Sequence, residues 1–282
     1  MPDIHLPEGT IRYRDEGHGA PVVFIHGLLV DGRLWDGVVS RLGEGVRAIV
    51  PDLPLGAHAV PMEPGADLTP PGLARLIADF LAALDLEDVT IVANDTGGAL
   101  AQLVVTRHPE RVGRLVLTPC DAFENFFPPL FRPLVLVGAH VPGAVTLILR
   151  SLRLAPVARS PLGLGWLTKK GPDMALVRDL ARPGLADAGV RRDVRKVLRG
   201  IDKAHTLDAA ARLRTFGRPV LIAWTPEDRV FPYAHAERLA TIFPDATLAP
   251  IEDSYAFVPL DQPGRLAELV TSFARTGAPT PA

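Results

Sequence analysis

The chain has 282 residues, long for one domain but within reach of a single large α/β unit with a sizeable core. Apolar residues make up 48% and aromatics 6%, so the core must rest on Leu, Val, Ile and Ala, and a net charge of −2 gives no global reason to expect nucleic acid. One cysteine, Cys120, excludes an internal disulfide and fits a reducing, cytoplasmic setting.

The first ten residues have no basic start and no apolar run, so no signal peptide is expected there. Residues 11–14 then alternate apolar and polar. The run 22–25 is continuously apolar and ends at His26-Gly27, and 47–50 leads into Pro51-Asp52. Leu73, Leu76, Ile77, Phe80 and Leu84 share one helical face. A second apolar run, 89–92, precedes a helical pattern through Ala99, Leu103, Val104 and Val105. Residues 115–117, 220–223 and 246–250 complete the strand-like runs, and Leu266, Leu269, Val270 and Phe273 mark a last helix. Continuous apolar strands alternating with amphipathic helices predict an α/β fold with an open, doubly wound, mostly parallel sheet.

The alternation stops between residues 123 and 216, where no good strand occurs. Val190, Val194, Val197, Leu198 and Ile201 form a helical face there. The expected organisation is a core of residues 1–122 and 217–282, with 123–216 inserted as a helical lid. The longest apolar run, 134–149, is shorter than the roughly 20 residues a membrane span needs. It holds His140, Pro142 and two glycines, so it reads as a buried or interfacial helix and no membrane span is expected. The insertion carries 16 Lys and Arg against 7 Asp and Glu, a balance of +9; the rest carries 14 against 25, a balance of −11, and the two give −2. The simpler reading is a solvated lid surface. The alternative is attraction for an anionic ligand, an acidic partner or an anionic membrane. The tail, 276–282, is expected to fray.

The informative stretch is 91–98, Ile-Val-Ala-Asn-Asp-Thr-Gly-Gly. It follows an apolar strand, precedes a helix, and sets Asp95 between small residues, Ala93 and Gly97. A sharp strand-to-helix turn of this kind lifts the central side chain out of the sheet and tolerates only small neighbours. An Asp capping the next helix is the structural alternative.

These residues, with their surroundings, resemble the α/β-hydrolase fold over nearly the whole chain. His26-Gly27 resembles the family's oxyanion loop, which implies paired backbone N–H groups of Leu28 and Thr96. Residues 52–56, Asp-Leu-Pro-Leu-Gly, resemble the loop after the fourth strand. Residues 224–228, Trp-Thr-Pro-Glu-Asp, resemble the segment carrying the triad acid, which implies that role for Asp228. Asp261-Gln262-Pro263 resembles the start of the last helix. An Asp at the elbow resembles the haloalkane dehalogenase and epoxide hydrolase branch, in which the carboxylate attacks carbon, forms an ester, and a His activates the water that cleaves it.

Four features depart from that branch. Thr96 stands where the dehalogenase-like pattern has Trp, and Leu28 where it has a polar residue. The three tyrosines, Tyr13, Tyr233 and Tyr255, all lie outside the lid, where epoxide hydrolases keep their acids. Ala256 occupies the position of the catalytic His, and no His follows His235. Of the eight histidines, His5, His18, His108, His205 and His235 read as surface or helix-end residues, and His26 as shaping the oxyanion loop. His140 lies in the apolar run. His58, in the loop after Asp52, is the best substitute base, although a structural role is the more common one for such a residue. Asp121 is the alternative acid position, and Cys120 reads as a small buried hydrophobe.

The expected catalytic set is therefore Asp95, Asp228, Leu28, Thr96 and His58. The expected substrate contacts are His26, Phe126, Phe127, Leu134, Val137, Trp166, Tyr255 and Phe257, forming an apolar pocket. The leading function is a hydrolase of a small, largely apolar substrate with Asp95 as nucleophile and an incomplete triad. The alternatives are a lyase, isomerase or cyclase using Asp95 as a general base of raised pKa, or a silent small-molecule binder on the same scaffold. No cofactor or metal motif is present, and a monomer or homodimer acting on a small molecule is expected.

Overall fold

The computed structural model describes residues 1–276, so the tail expected to fray lies outside the described residues except for Thr276. The strands are β1 (Asp3–Leu6), β2 (Gly9–Gly17), β3 (Ala20–Ile25), β4 (Val46–Pro51), β5 (Val89–Asp95), β6 (Val112–Cys120), β7 (Val220–Trp224) and β8 (Ala246–Pro250). They form one sheet in the order β1-β2-β4-β3-β5-β6-β7-β8. β1–β2 and β2–β4 pair antiparallel, and every other neighbouring pair is parallel. The α/β architecture expected from the alternating runs is thus present, a mostly parallel sheet with helices. β1 had no strong signal: its burial alternates between exposed and half-buried, as suits an edge strand.

β5 lies in the middle of the sheet and is buried at every position, which explains its unbroken apolar run. It delivers the chain into α3 (Thr96–Arg107), of which the first ten residues are all buried. The remaining helices are α1 (Asp36–Val39), α2 (Pro70–Ala83), α4 (Arg132–His140), α5 (Ala144–Leu152), α6 (Ala155–Ala158), α7 (Met174–Ala186), α8 (Ala188–Gly200), α9 (Lys203–Arg212), α10 (Tyr233–Ile242), α11 (Val258–Asp261) and α12 (Pro263–Thr276). α2 begins at two prolines under a Thr69 cap, whose hydroxyl accepts from Gly72 N–H.

Helices α4 to α9 all lie between β6 and β7, and no strand interrupts them among the described residues. The apolar run 134–149 is not one helix. It breaks at Val141–Gly143, where Pro142 cannot continue the ladder and Gly143 takes the left-handed region at φ 80°. α4 and α8 contribute Val135, Ala139, Val194 and Leu198 to a small apolar cluster that also holds Phe126 and Phe127. The helical face foreseen over 190–201 is the one α8 buries, through Val190, Val194, Val197 and Leu198.

Candidate active site

Asp95 is the last residue of β5 and has φ 57° and ψ −135°, outside every region an L-residue favours. Such a backbone costs on the order of 1–3 kcal/mol and persists only where its surroundings hold it. Asp95 occupies the N-cap position of α3, yet its side chain makes no capping hydrogen bond there. The carboxylate instead accepts from the backbone N–H of Leu28, with Oδ2 at 3.1 Å. The Thr96 backbone N–H is a second donor to it.

Close contacts dictate the glycines around this turn. A Cβ at Gly27 would collide with the Asp95 carboxylate, and one at Gly97 would collide with the carbonyls of Ile25 and His26. The ends of β3 and β5 therefore approach each other over bare backbone, which places the N–H of Leu28 against the side chain of Asp95. His26 holds the β3 end in shape. Its ring is fully buried, Nδ1 lies 2.9 Å from the Gly27 carbonyl, and Nε2 accepts from Leu53 N–H at 2.9 Å. Burial pushes its pKa below the usual histidine value, so it stays neutral.

A cavity of about 130 Å³ opens above Asp95. Its walls come from the β3 and β7 loops (Leu28, Leu29, Val230, Phe231) and from the helical segment (among others Phe127, Phe131, Leu134, Ile148, Leu149, Leu164, Leu180 and Val194). Of the residues that line it, Asp95 alone carries a polar side chain. Burial in this apolar setting raises the Asp95 carboxyl from 3.8 to about 7, against the opposing pull of the Thr96 and Leu28 N–H groups.

Two further carboxyls lie near Asp95. Asp228 follows β7, and its Oδ1 accepts from Val230 N–H at 2.6 Å and Phe231 N–H at 2.8 Å. Its buried Oδ2 has no hydrogen-bond partner among the described residues. Burial raises Asp228 to about 7, the two N–H bonds oppose this, and the charge of Asp95 adds to it. Asp121 is fully buried beyond β6, and the Thr96 hydroxyl donates to its Oδ2 at 3.3 Å. Burial, then the charge of Asp95, hold its carboxyl well above the ordinary range. Burial and these carboxylates likewise push up the Cys120 thiol, which keeps it in its uncharged form.

The loop after β8 is tied to the same elbow. Asn94, one residue before Asp95, places Nδ2 2.9 Å from the Ala256 carbonyl, and also reaches Thr118 Oγ1 and the Pro119 carbonyl. Ala256 itself is fully buried. The Asp261 carboxylate anchors this loop to the helical segment, accepting from Thr168 Oγ1 (2.8 Å), Lys169 N–H (2.8 Å) and Tyr255 N–H (3.0 Å).

The structure brings Asp95, Leu28, Thr96 and Asp228 into one neighbourhood, and sets Phe127 and Leu134 in the cavity wall. Other expected residues lie elsewhere, each for a physical reason. His58 is buried but turns away: Nδ1 accepts from Gly56 N–H, and Nε2 meets Asp193 Oδ2 at 3.3 Å, tying the loop after β4 to α8. It does not line the cavity. His26 is committed to backbone on both ring nitrogens. Val137 is 46% exposed, on the outer side of α4. Phe126 packs into the same apolar cluster as Phe127 but does not line the cavity. Trp166 packs against the main core, Phe257 lines a separate small cavity with Leu260, and Tyr255 carries the Arg229 guanidinium over its ring at 4.5 Å. Sequence reasoning missed Leu29, Ile148, Leu149, Leu180 and the pair Val230 and Phe231 as cavity walls. Val194 and Leu198 were visible as a helical face, though not as lining. No group of three or more His, Cys, Asp and Glu side chains is placed to hold a metal ion among the described residues.

Residues 22–269 match the model of the Alpha/beta hydrolase family. Non-heme chloroperoxidase CPO-A1 of Kitasatospora aureofaciens is 29% identical over 274 residues, covering 93% of this chain and 95% of the relative. Haloalkane dehalogenase 2 of Mycobacterium tuberculosis is 26% identical over 278 residues, covering 93% and 90%. Among solved structures, an alpha/beta hydrolase fold protein from Burkholderia ambifaria superposes with a TM-score of 0.80 at 20% identity, over 96% of this chain and 97% of that one.

Proposed function

The chain belongs to the alpha/beta hydrolase family, and within it we propose a hydrolase of a small, largely apolar substrate, with Asp95 as the attacking carboxylate. The observation that carries this reading is that Asp95 is the one polar side chain in an apolar cavity while Leu28 and Thr96 hold its carboxylate by backbone N–H groups. Residues 123–216 are assigned as the lid over a core formed by 1–122 and 217–282.

In this reading Asp95 Oδ1 attacks an electrophilic carbon of the substrate. A C–O bond forms, and the leaving group departs with the bonding electrons. Water then adds to Cγ of the resulting ester. The charge that develops on Oδ2 is met by the N–H of Leu28, already aimed at that atom, with the Thr96 N–H beside it on the same carboxylate. The product alcohol leaves and the carboxylate is restored. The water must lose a proton, and Ala256 offers no base at the position where the family keeps its His. Asp228 is assigned that proton, because its Oδ2 has no partner among the described residues and its pKa lies near 7. The similarity to haloalkane dehalogenase 2 supports attack at a saturated carbon. Thr96 and Leu28 stand where the dehalogenase-like pattern has its halide-binding pair.

A second reading rests on the raised pKa of Asp95. A carboxyl titrating near 7 in an apolar cavity suits proton abstraction, and would serve lyase, isomerase or cyclase chemistry without an ester. Intact-protein mass after exposure to alkyl halides, epoxides and esters separates the two. An alkyl adduct that maps to Asp95 and is lost in Asp95→Asn supports the nucleophile. Turnover without any adduct under single-turnover quench supports the general base.

A further inference from the structure

We infer that the outer surface of α4, α5 and α6 docks on an anionic lipid bilayer, and that the cavity above Asp95 opens at that surface. Large apolar side chains that stay exposed are concentrated there. Leu136 (61%), Val141 (48%), Leu147 (70%), Leu154 (59%) and Leu162 (51%) all fall in this short stretch. Outside residues 123–216 the one such side chain among the described residues is Met1. An exposed apolar patch of this kind marks a surface that water does not finally cover.

The segment that carries the patch has charge of one sign, and Asp179 of α7 is the acid that lies beside it, in a surface pocket shared with Arg153. Residues 125–172 contain no Asp or Glu and six Lys and Arg. Arg150, Arg153 and Arg159 are exposed within it and form no ion pair among the described residues. Apolar side chains set among unpaired cations are the composition of a helix that lies in a bilayer interface. No described helix is long and apolar enough to cross a membrane, so the association is peripheral.

The same elements reach the cavity. α5 turns Val145 and Leu149 inward to line it and leaves Leu147 and Arg150 outside. Leu162 lines the cavity and is also half exposed, which places it at the mouth. A second copy of the chain is the competing occupant, since the remainder of the chain is acidic at −11. Among its described residues that remainder supplies charge but, apart from Met1, no large exposed apolar side chain for the leucines, whereas an anionic bilayer supplies both.

Docking itself does not depend on the chemistry at Asp95. Entry of the substrate from the lipid rests on the reading of this cavity as the substrate site. The test is flotation of the full chain with phosphatidylcholine vesicles and with equimolar phosphatidylcholine–phosphatidylglycerol vesicles, at low and high salt. Binding is expected to the anionic vesicles alone and to weaken with salt. Leu147→Glu combined with Leu154→Glu should reduce partitioning more than tenfold. Arg150→Gln and Arg153→Gln should each reduce it by roughly fivefold. All four side chains are exposed, so the variants should keep the wild-type melting temperature. Asp95→Asn should bind as wild type does, so a failure of the catalytic reading would leave this result intact. Equal binding to both vesicle types, or binding unchanged in the variants, overturns the inference. So does an absence of vesicle binding, whether light scattering then finds a monomer or a dimer that Leu147→Glu dissociates.

Discussion

The backbone N–H of Leu28 donates to Oδ2 of Asp95 at 3.1 Å, across the gap between the ends of β3 and β5. Gly27 makes that approach possible, because any Cβ there would enter the space of the carboxylate. Gly27→Ala is therefore expected to push Asp95 off its donor. The overpacking should cost about 1–3 kcal/mol, read as a lower melting temperature. Adduct formation at Asp95 should fall with it. A variant that melts and reacts like wild type would contradict the geometry.

Asp95 and Asp228 both titrate near 7 in the folded protein, while an unfolded Asp titrates near 3.8. Between those values the folded protein holds protons that the unfolded chain has already released. Each group therefore removes stability as pH rises from about 4 to about 7, on the order of a few kcal/mol for each. Asp228→Asn eliminates one of the two titrations. The difference in stability between Asp228→Asn and wild type should then grow in favour of the variant across that window. Thermal or urea unfolding at several pH values measures it, and a pH-independent difference would contradict the burial argument.

His58 is tied at Nδ1 to Gly56 and at Nε2 to Asp193. His58→Ala should leave Asp193 short of a partner and cost roughly 1–3 kcal/mol of stability. The rate at which Asp95 is alkylated should stay near wild type in the folded variant. Loss of alkylation without loss of stability would instead make His58 part of the chemistry.

Much of this site is written in local sequence. The run 89–92 with small residues flanking Asp95 announces a buried strand, a tight turn and a helix, and β5 and α3 follow it. His26-Gly27 and residues 224–228 likewise sit where local pattern puts them. What sequence does not carry is the partner of each polar group. His58 looks free for catalysis until Asp193, far along the chain on α8, is folded against it. Tyr255 and Phe257 flank Ala256 in sequence, but the Asp261 bond to Tyr255 N–H and the packing of Phe257 turn them away from the cavity. Among the helices α4 to α9 the face of α8 is legible in the sequence, whereas 134–149 reads as a single helix and the rest only as a strandless region, because short helices broken at Pro142 and Gly143 leave no long period to read.

Ala256 is fully buried, and its carbonyl is held by Asn94 beside the elbow. Ala256→His is expected to shorten the lifetime of an alkyl ester on Asp95 by adding a base to activate water. The larger side chain should cost about 1–3 kcal/mol. Quenched-flow mass spectrometry of the adduct, with circular dichroism as the folding control, measures both. An unchanged lifetime in a folded variant would count against an ester intermediate.

If Asp95 forms an ester that water cleaves at Cγ, oxygen from water must enter its carboxylate. A single turnover with enzyme in excess, run in water labelled with oxygen-18, should place the label in the Asp95 carboxylate, because one oxygen of that carboxylate leaves with the first product. The peptide containing Asp95 should then gain the mass of one heavy oxygen, and the alcohol formed in that turnover should carry none. An unlabelled Asp95 with the heavy oxygen in the product would rule out the ester and assign Asp95 to proton transfer.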